Sequence, residues 1–446
     1  MQYSLSSSST KQRMTDAFVR TMTWLMRFGV GATFIFSGFV KAVDPWGTFY
    51  KMEEYAAALG VPMLPTLLLC ATFALCATEF ITGVCLVLGC YRRSSPIVAL
   101  CFMCVMLPLT LWIAVSDPVK DCGCFGDYLV LSNWATFWKN VILTLMTIWL
   151  VRFNRDEITI ISPAFQWIQV VFSLAFVGAV SLHGYFTQPL LDFRPYPAGT
   201  VLGHRGGSED ESESDDFLFV YEKDGVRKTF GVDDELPDEA DGWNFVERLE
   251  KSPNSGESND ESTFRIWNRD GDTDYTDMVL DNSGRMLLLL IPDLKTVSPA
   301  TTWRINSLYD WSEAHGVDMV AVVSGSASQI QEWEDLSMPR YDIYTADDTA
   351  IKEVARGNPA VVSLNDGVVE WKSTLSALDV DEITSHNDAG SLSELKNDDS
   401  RTLLNWFYIY LASLASLIVV SMLPRIKNAY GQAKMRHNRR DVSDAH

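Results

Sequence analysis

Cysteine is absent from residue 125 onward: all eight cysteines lie in the first 124 residues. This absence excludes a disulfide framework and a cysteine-based zinc site from the long region that follows, and a domain of that size needs neither to fold. The sequence also lacks a phosphate-binding loop, a serine triad and a cluster of metal ligands, and it shows no internal repeat. The usual signatures of hydrolases, nucleotide-binding proteins and metalloenzymes are therefore missing, and no metal site is predicted.

Positive charge is scarce between residues 189 and 401, where 45 Asp and Glu face 18 Lys and Arg, a net charge of −27 in a chain whose total is −21. Such an acidic region argues against binding to nucleic acid or to an anionic lipid surface, and it favours solubility and basic partners. We interpret its densest run, "EDESESDD" at residues 209–216, as a solvated linker.

Apolar residues are concentrated in six runs, each long enough to cross a bilayer core of roughly 30 Å as a helix. The first run is too long for a signal peptide and no small-residue cleavage site follows it, so we expect it to stay in the mature protein. The sequence thus predicts an α-helical membrane bundle that carries a separate outer domain. The six predicted spans are residues 22–43, 62–90, 96–115, 134–151, 165–186 and 403–423.

Basic residues in the short loops predict the orientation, because they accumulate on the cytoplasmic side of a membrane. If every run crosses, all four basic groups fall on one side. Both termini are then cytoplasmic, and the loop after the third span and residues 188–400 lie outside. The four groups are Lys11, Arg13 and Arg20; Arg92 and Arg93; Arg152 and Arg155; and Arg425, Lys427, Lys434, Arg436, Arg439 and Arg440.

Two cysteines one residue apart, Cys122 and Cys124, lie in the polar loop "DPVKDCGCFGDYLV" at residues 117–130. The predicted orientation places this loop in an oxidising compartment. A disulfide between the two would close a very small ring, and Gly123 permits the distorted backbone that such a ring needs. A strained, exposed disulfide exchanges more readily than a buried structural one.

The charges around this pair oppose each other, since Lys120 would favour a thiolate whereas Asp121 and Asp127 would disfavour it. Two alternatives stay open: a purely structural clip, and half of a zinc site, for which two further ligands are lacking. We expect the other six cysteines to pack as small apolar residues in spans two and three. These six are Cys70, Cys76, Cys85, Cys90, Cys101 and Cys104. For Cys101 and Cys104, which lie one helical turn apart, a redox or metal role is an alternative.

Three stretches together resemble the DoxX-like, MauE-type family of redox-associated membrane proteins: "FIFSGFVKAVDP" (34–45), "ATEFITGVCLVLG" (77–89) and "DCGCFGDYLVLSNWATFWKN" (121–140). The resemblance covers about residues 20–152, a third of the chain. It implies a four-helix bundle in the bacterial inner membrane that supports disulfide formation in exported proteins. It implies thioredoxin-like proteins or exported client proteins as partners, while no cofactor is evident and a quinone is a candidate electron acceptor that no residue demands.

Carried onto this sequence, the resemblance marks as site residues Ser37, Gly38, Lys41, Glu79, Cys122, Cys124, Phe125, Gly126, Asp127 and Asn140. Ser37 and Lys41 share a helical face because they are four residues apart, although Lys41 is also placed to reach the lipid headgroups. Glu79 lies near the middle of span two, where an ionisable group is costly and is either functional or a protonated packing residue. We expect Lys41 and Glu79 to face the bundle interior beneath the Cys-Gly-Cys loop.

The outer region from 262 to 385 alternates strand-like and helix-like runs and ends in a β-hairpin turning at residues 365–367. It resembles a thioredoxin-type domain, with Pro359 where that fold keeps a cis-proline. Where the fold usually carries C-x-x-C, this chain reads "PDLKTVSPATTW" at 292–303, so the domain has no thiol of its own. Asn358 and Pro359 are the predicted positions for binding an extended peptide or a partner.

The remaining divisions follow from composition. We predict a cytoplasmic tail (1–20), the four-helix domain (21–152), the fifth span (164–187), an acidic linker (188–216), a small β-rich subdomain with a hairpin at 223–225 and an amphipathic helix from about residue 241 (217–261), the thioredoxin-like domain (262–385), a linker (386–401), the sixth span (402–424) and a basic cytoplasmic tail (425–446).

Two functions fit these expectations. The first is a thiol–disulfide exchange component in which Cys122 and Cys124 cycle, with Lys41 and Glu79 in support and with loop residues Gly123, Phe125, Gly126 and Asp127. The second is a non-enzymatic membrane assembly or chaperone-like factor whose Cys-Gly-Cys disulfide is only structural. Membrane lipid is a partner in both.

Overall fold

The computed structural model describes residues 2–61, 64–119, 122–153, 159–202, 217–223, 226–231, 244–250, 264–280, 284–385 and 399–443. For residues 2–16, 217–223, 226–231, 244–250, 399–400 and 425–443 it describes the backbone only. The acidic run at 209–216, most of the predicted linker at 386–401, and Lys120, Asp121 and Arg155 lie outside the described residues.

The described residues include six helices that are long and apolar enough to cross a membrane, which confirms the six predicted spans. The ends of the apolar spans differ from the predicted ones by a few residues, as is normal for helix termini, whereas the first and last of these helices extend well beyond their spans. Gly89, with φ of +70°, ends the second of these helices in the left-handed conformation that favours glycine. The six helices are α1 (Gln2–Val43), α3 (Pro65–Leu88), α4 (Ser94–Ser116), α5 (Asn133–Phe153), α6 (Gln166–Phe186) and α12 (Asp399–Ser443).

Helices α1 and α3 pack closely because a glycine on each helix faces the backbone of the other. A Cβ atom at Gly38 would lie 2.5 Å from the backbone nitrogen of Phe80, and one at Gly83 would lie 2.5 Å from that of Ile35. Small residues that let two backbones approach are the usual device for packing helices in membranes. This contact brings the outer halves of α1 and α3 together, where Lys41 and Glu79 lie.

A short chain of buried polar groups joins three of the spans. The Cys85 thiol donates to Gln169 (Sγ to Oε1, 3.3 Å), Gln169 donates to Ser173 (Nε2 to Oγ, 2.9 Å), and Ser173 is 2.8 Å from the hydroxyl of Tyr410. Since α12 begins more than 200 residues after α6, this network helps to fix the last span against the bundle.

A helix that the hydropathy pattern did not reveal, α2 (Pro45–Ala58), lies across the end of the bundle where α1 ends. Asp44 caps it by accepting a hydrogen bond from the Gly47 amide at 3.0 Å, and Pro45 occupies its first position. The indole of Trp46 donates to the Tyr185 carbonyl at 3.0 Å, which attaches α2 to the end of α6.

Three strands form a small antiparallel sheet in the order β2-β1-β3: β1 (Phe217–Lys223), β2 (Val226–Gly231) and β3 (Asn244–Glu250). Strands β1 and β2 pair as the predicted hairpin. The predicted helix from about residue 241 is wrong, because residues 244–250 pair with β1 as a strand. A seven-residue run is too short for its period to separate the two structures, and the free edge of β1 offers hydrogen bonds that favour the strand.

A separate α/β domain follows, which confirms the predicted fold class. Its sheet has the order β6-β5-β4-β7-β8, with β4, β5 and β6 parallel and with β7 and β8 antiparallel to their neighbours. The central strand β4 is buried from Met286 to Ile291, as both faces of the sheet are covered by helices. The elements are α7 (Thr276–Leu280), β4 (Arg285–Ile291), α8 (Thr302–Ala314), β5 (Asp318–Val323), α9 (Ala327–Ser337), β6 (Asp342–Thr345), α10 (Asp348–Val354), β7 (Ala360–Asn365), β8 (Val368–Thr374) and α11 (Val380–Ser385).

The hairpin between β7 and β8 turns through Asp366 and Gly367, both with positive φ (+50° and +75°), which fits the predicted tight turn. Residues 188–202, the first part of the predicted linker, pack against this domain: Leu202 is buried and its amide donates to the Gly367 carbonyl at 2.9 Å. The chain that leaves α6 is therefore part of the junction between the two domains.

Candidate functional site

The Cys-Gly-Cys loop lies between α4 and α5, at the end of the bundle that carries α2. Cys122 and Cys124 are free thiols in this structure, and Cys122 is only 6% exposed. The hydroxyl of Tyr55 in α2 donates to the Cys122 carbonyl at 2.5 Å. Gly123 has φ of +62°, a conformation that a residue with a side chain rarely adopts, so this position requires glycine.

The carbonyl of Cys124 is held from beneath by α1 and α3. The ammonium of Lys41 donates to that carbonyl at 2.9 Å and to both carboxylate oxygens of Glu79 at 2.8 and 3.1 Å. The Ser37 hydroxyl lies 2.6 Å from the same ammonium, 2.7 Å from the Cys124 carbonyl and 2.8 Å from Glu79 Oε2. The structure thus brings together four of the predicted site residues, from three separate parts of the chain.

The two thiols differ in acidity because they share a proton between them. A hydrogen bond from Cys122 lowers the pKa of Cys124 to about 7, with Lys139 and Lys41 acting in the same direction against the effect of burial. The same hydrogen bond, together with burial, raises the pKa of Cys122. The pair therefore has one thiol that ionises near neutral pH and one that keeps its proton.

Aromatic side chains pack around Phe125, the residue that follows the thiol pair. The ring of Phe125 lies 5.5 Å from that of Phe36, and the ammonium of Lys139 lies 4.2 Å from the centre of the Phe125 ring. Asn140, the next residue in α5, does not reach the thiols: it is buried and donates to the Thr110 hydroxyl at 3.3 Å. Its observed contact joins α5 to α4.

Arg356 of the outer domain reaches into this end of the membrane domain. Its guanidinium is 2.6 Å from Asp44, the cap of α2, and 3.1 Å from Asp127, which follows the thiol pair. The side chain of Arg356 is 6% exposed, and its backbone exchanges two hydrogen bonds with the Gln188 amide at 2.6 and 3.0 Å. Burial alone would raise the pKa of Asp44, but Arg356 lowers it, so Asp44 is a carboxylate.

A second ionic group lies beside this bridge. The Asp192 carboxylate accepts from Arg194 at 2.6 Å and from Lys372 of β8 at 2.9 Å. Burial and the neighbouring charge of Arg194 lower the pKa of Lys372 to about 7. Thr374 adds a hydrogen bond to the Phe186 carbonyl at 2.7 Å, so β8 is fixed to the end of α6.

A cavity of about 210 Å³ lies under this junction and touches both thiols. Lys41, Glu79 and Asp127 are among the residues that line it. So are apolar side chains of α3 and α4, namely Leu75, Phe102, Met106 and Leu109. The lining is mainly apolar, with a few charged groups and the two thiols.

Asn358 and Pro359 lie just beyond Arg356, at the start of β7. The peptide bond between them is cis. The amide of Asn358 donates to the Asp293 carbonyl at 2.6 Å and to the Thr296 hydroxyl at 2.8 Å. These contacts hold the loop after β4, the segment that carries no cysteine, and neither residue touches the thiol pair.

Residues 19–153 match the family model of the methylamine utilisation protein MauE. This membrane segment is a MauE-family domain. Residues 216–252, which include the small antiparallel sheet, match a domain of unknown function, DUF8463. No curated protein and no solved structure matches the chain. The MauE domain includes the thiol pair and Lys41 and Glu79, whereas Arg356 lies outside it.

Several residues of this site were not among the sequence predictions: Tyr55, Asp44, Lys139, Lys372 and Arg356. The Asp-Pro pair at the end of α1 is a helix-start signal that points to α2 and so to Tyr55. Lys139 lies in the quoted "WATFWKN" stretch but received no role. Nothing in the local sequence marks Arg356 or Lys372, because their partners are more than 150 residues away.

Proposed function

We propose that this protein is a thiol–disulfide exchange component of the bacterial inner membrane that supports disulfide formation in exported proteins. The observation that carries the proposal is the thiol pair itself: Cys122 and Cys124 share a hydrogen bond at the wall of a cavity, and Cys124 has a pKa of about 7. A thiol that ionises near the ambient pH is the most effective in exchange. Lys41, Ser37 and Glu79 hold the loop that presents it.

The outer domain binds the client in this proposal. Its sheet order and the cis peptide before Pro359 support a thioredoxin-type fold. Because the domain has no cysteine, it cannot exchange disulfides, and its part is to hold a partner beside Asn358 and Pro359. Arg356, two residues before Asn358, contacts the thiol loop through Asp127, so a client bound there would be close to the pair.

A quinone is the electron acceptor that we propose. Regenerating the disulfide removes two electrons and two protons from the thiols, and a quinone accepts both as it becomes a quinol. The cavity that both thiols line is mainly apolar and is formed in part by membrane helices, which suits a lipid-soluble ring. Anaerobic addition of a soluble quinone to the reduced protein should protect Cys122 and Cys124 from alkylation. A Met106→Trp variant, which fills the cavity, should slow this oxidation, and an equal rate in both proteins would exclude the cavity as the acceptor site.

Orientation is part of the proposal: both termini cytoplasmic and the outer domain periplasmic. The thiol loop, α2 and the α/β domain lie at one end of the bundle, while Arg92 and Arg93 lie at the other. A Ser328→Cys variant adds the only thiol after residue 124, on an exposed surface. A membrane-impermeant maleimide should label it in spheroplasts, and labelling only after lysis would reverse the orientation.

The redox proposal is tested by the reduction potential of the pair. We expect a value in the exchange range of about −120 to −270 mV. The matched control is Cys70→Ser, which removes a lipid-facing cysteine and should leave the potential unchanged. A potential well below about −300 mV, together with failure to trap any mixed disulfide, would favour the alternative in which the disulfide is structural and the protein is an assembly factor.

A further inference from the structure

Two lysines lie close to the thiol pair, and they are not equivalent. The three N–H groups of the Lys41 ammonium all have partners: the Glu79 carboxylate, the Ser37 hydroxyl and the Cys124 carbonyl. Glu79 compensates its charge at 2.8 Å. Lys41 therefore holds the backbone of the loop and contributes little net field at the sulfur atoms.

Lys139 approaches the pair from the other side, on α5. Its ammonium lies over the ring of Phe125, the residue after Cys124, at 4.2 Å from the ring centre. Cys124, Phe125 and Lys139 line the same small cavity of about 30 Å³. Among the described residues, no carboxylate lies within 4.0 Å of the Lys139 ammonium.

A partly buried cation that has no carboxylate partner among the described residues favours the thiolate of a nearby thiol, because the ring face below it is a much weaker partner than a full negative charge. The Phe125 ring thus holds the Lys139 ammonium in place without neutralising its charge. We propose that Cys124, the more exposed sulfur of the pair, is the one that bonds to the client, with Cys122 as the resolving thiol, and that Lys139 stabilises the Cys124 thiolate when the client disulfide is released. This inference rests on the proposed function, and it assigns the order of attack at that site.

The order of steps follows from this assignment. A client thiolate attacks Sγ of Cys124 in the Cys122–Cys124 disulfide, that bond breaks, and Cys122 leaves and takes up a proton. A second client thiolate then attacks the client sulfur of the mixed disulfide, forms the client disulfide and releases Cys124 as a thiolate. The client loses two electrons and the pair gains them. Lys139 stabilises the leaving thiolate of the second step, and a thiolate of lower pKa leaves faster.

The electrostatic part is tested by the pH dependence of alkylation at Cys124 in the full-length protein, followed by mass spectrometry of the modified peptide. Lys139→Met should move the profile to higher pH and slow alkylation at pH 7 about fivefold, which corresponds to a pKa rise of about one unit. Lys139→Arg should keep the wild-type profile. Lys139→Gln is a second neutral variant for the case in which Lys139→Met does not fold. An unchanged profile in either neutral variant overturns the proposal.

Lys51 provides the matched control. It also lies against the loop, beside Gly123, but its ammonium pairs with Glu54 at 2.9 Å. Lys51→Met should therefore leave the profile of Cys124 where it is. If it moves the profile as far as Lys139→Met does, the effect is a general loss of positive charge and the assignment to Lys139 fails.

The order of attack is tested separately, by trapping. Cys122→Ala should accumulate a mixed disulfide through Cys124 in cells, whereas Cys124→Ala should accumulate at least tenfold less. Equal trapping by both variants, or more by Cys124→Ala, overturns the order. If neither variant traps a partner while Lys139→Met still shifts the alkylation profile, the proposed exchange function fails and the electrostatic role of Lys139 stands.

Discussion

Arg356 of the outer domain and Asp127 of the thiol loop form an ion pair at 3.1 Å, although 229 residues separate them in the chain. The same guanidinium binds Asp44, which caps α2, and α2 in turn holds the Cys122 carbonyl through Tyr55. Both ends of the Cys-Gly-Cys loop are thus connected to one side chain of the outer domain. That side chain lies two residues before Asn358, so the proposed client site is close in the chain to the residue that contacts the thiol loop.

Replacing Arg356 should separate the two domains. Arg356→Gln leaves Asp44 buried without its cation, and breaking a buried pair from one side costs about 3–5 kcal/mol. We expect a clearly lower melting temperature for the outer domain and faster proteolysis at the junction. The double variant with Asp44→Asn should recover part of the loss, because it removes the carboxylate that was left unpaired.

The control for this experiment is Arg340→Gln. Arg340 also pairs with a carboxylate, that of Asp310, but both side chains are mostly exposed. Exposed ion pairs contribute about 0–1 kcal/mol, so this change should leave the melting temperature almost unaltered. Equal effects of the two arginine changes would contradict a buried Arg356 bridge.

Lys372 should make the docking of the domains sensitive to alkaline pH. Its pKa is about 7 in the folded protein, because of burial and then the charge of Arg194, against 10.5 ordinarily. Between these values the unfolded chain binds more protons than the folded one, so stability should rise with pH. Burial of the charged Lys372 ammonium destabilises the folded protein. This destabilisation is fully present below pH 7 and is relieved as the pH rises toward 10.5.

Melting temperatures measured at about pH 7 and about pH 9.5 test this rise in stability. The rise should be large, because the pKa of Lys372 differs by several units between the folded and the unfolded protein. Lys372→Met should lose the rise. Lys352→Met removes a half-buried lysine that pairs with Asp348 in the same domain, and it should keep the rise. A wild-type protein whose melting temperature falls steadily across this interval would contradict the assignment.

The membrane part of the fold follows from the sequence because its signal is local. Twenty apolar residues predict a span wherever they occur, and the four-residue spacing of Ser37 and Lys41 predicts their shared face. Hydropathy does not predict α2, because Lys51, Glu53 and Glu54 interrupt its apolar residues. Only the capping residue Asp44 indicates that a helix begins there. The sequence wrongly predicted a helix at residues 244–250. These residues form a strand because they pair with the free edge of β1, which lies elsewhere in the chain.

The site was predictable to the same degree. Lys41, Glu79 and the thiol pair stand out, because each places a charge or a reactive group where apolar or oxidising surroundings make it unusual. Arg356 does not, since an arginine in an acidic soluble domain is ordinary. Its partner Asp44 is 312 residues away, and only the packing of the two domains brings them together.

The pair between Lys41 and Glu79 should be essential for the bundle. Glu79→Gln leaves the Lys41 ammonium buried without its counter-charge, at a cost of about 3–5 kcal/mol. Unfolding in detergent should show this loss, and the double variant with Lys41→Met should cost less than the sum of the two single changes. Glu54→Gln, at the partly exposed pair with Lys51, is the control and should change the stability by less than about 1 kcal/mol. Similar losses for the two glutamate changes would contradict a buried pair.

Gly123 should be the most sensitive glycine of the thiol loop. An alanine there must adopt a left-handed conformation, which costs about 1–2 kcal/mol, and its Cβ would lie 2.7 Å from Cγ of Lys51. Gly60 is the matched control, because its φ of +67° is nearly the same and no atom lies within 4 Å of the added Cβ. Gly60→Ala should therefore lose only the stability that corresponds to the left-handed conformation, whereas Gly123→Ala should lose more. Gly123→Ala should also speed alkylation of Cys122, because the loop is displaced. Equal losses, with Cys122 equally protected in both variants, would mean that Lys51 does not confine the loop and that the thiols keep their positions without it.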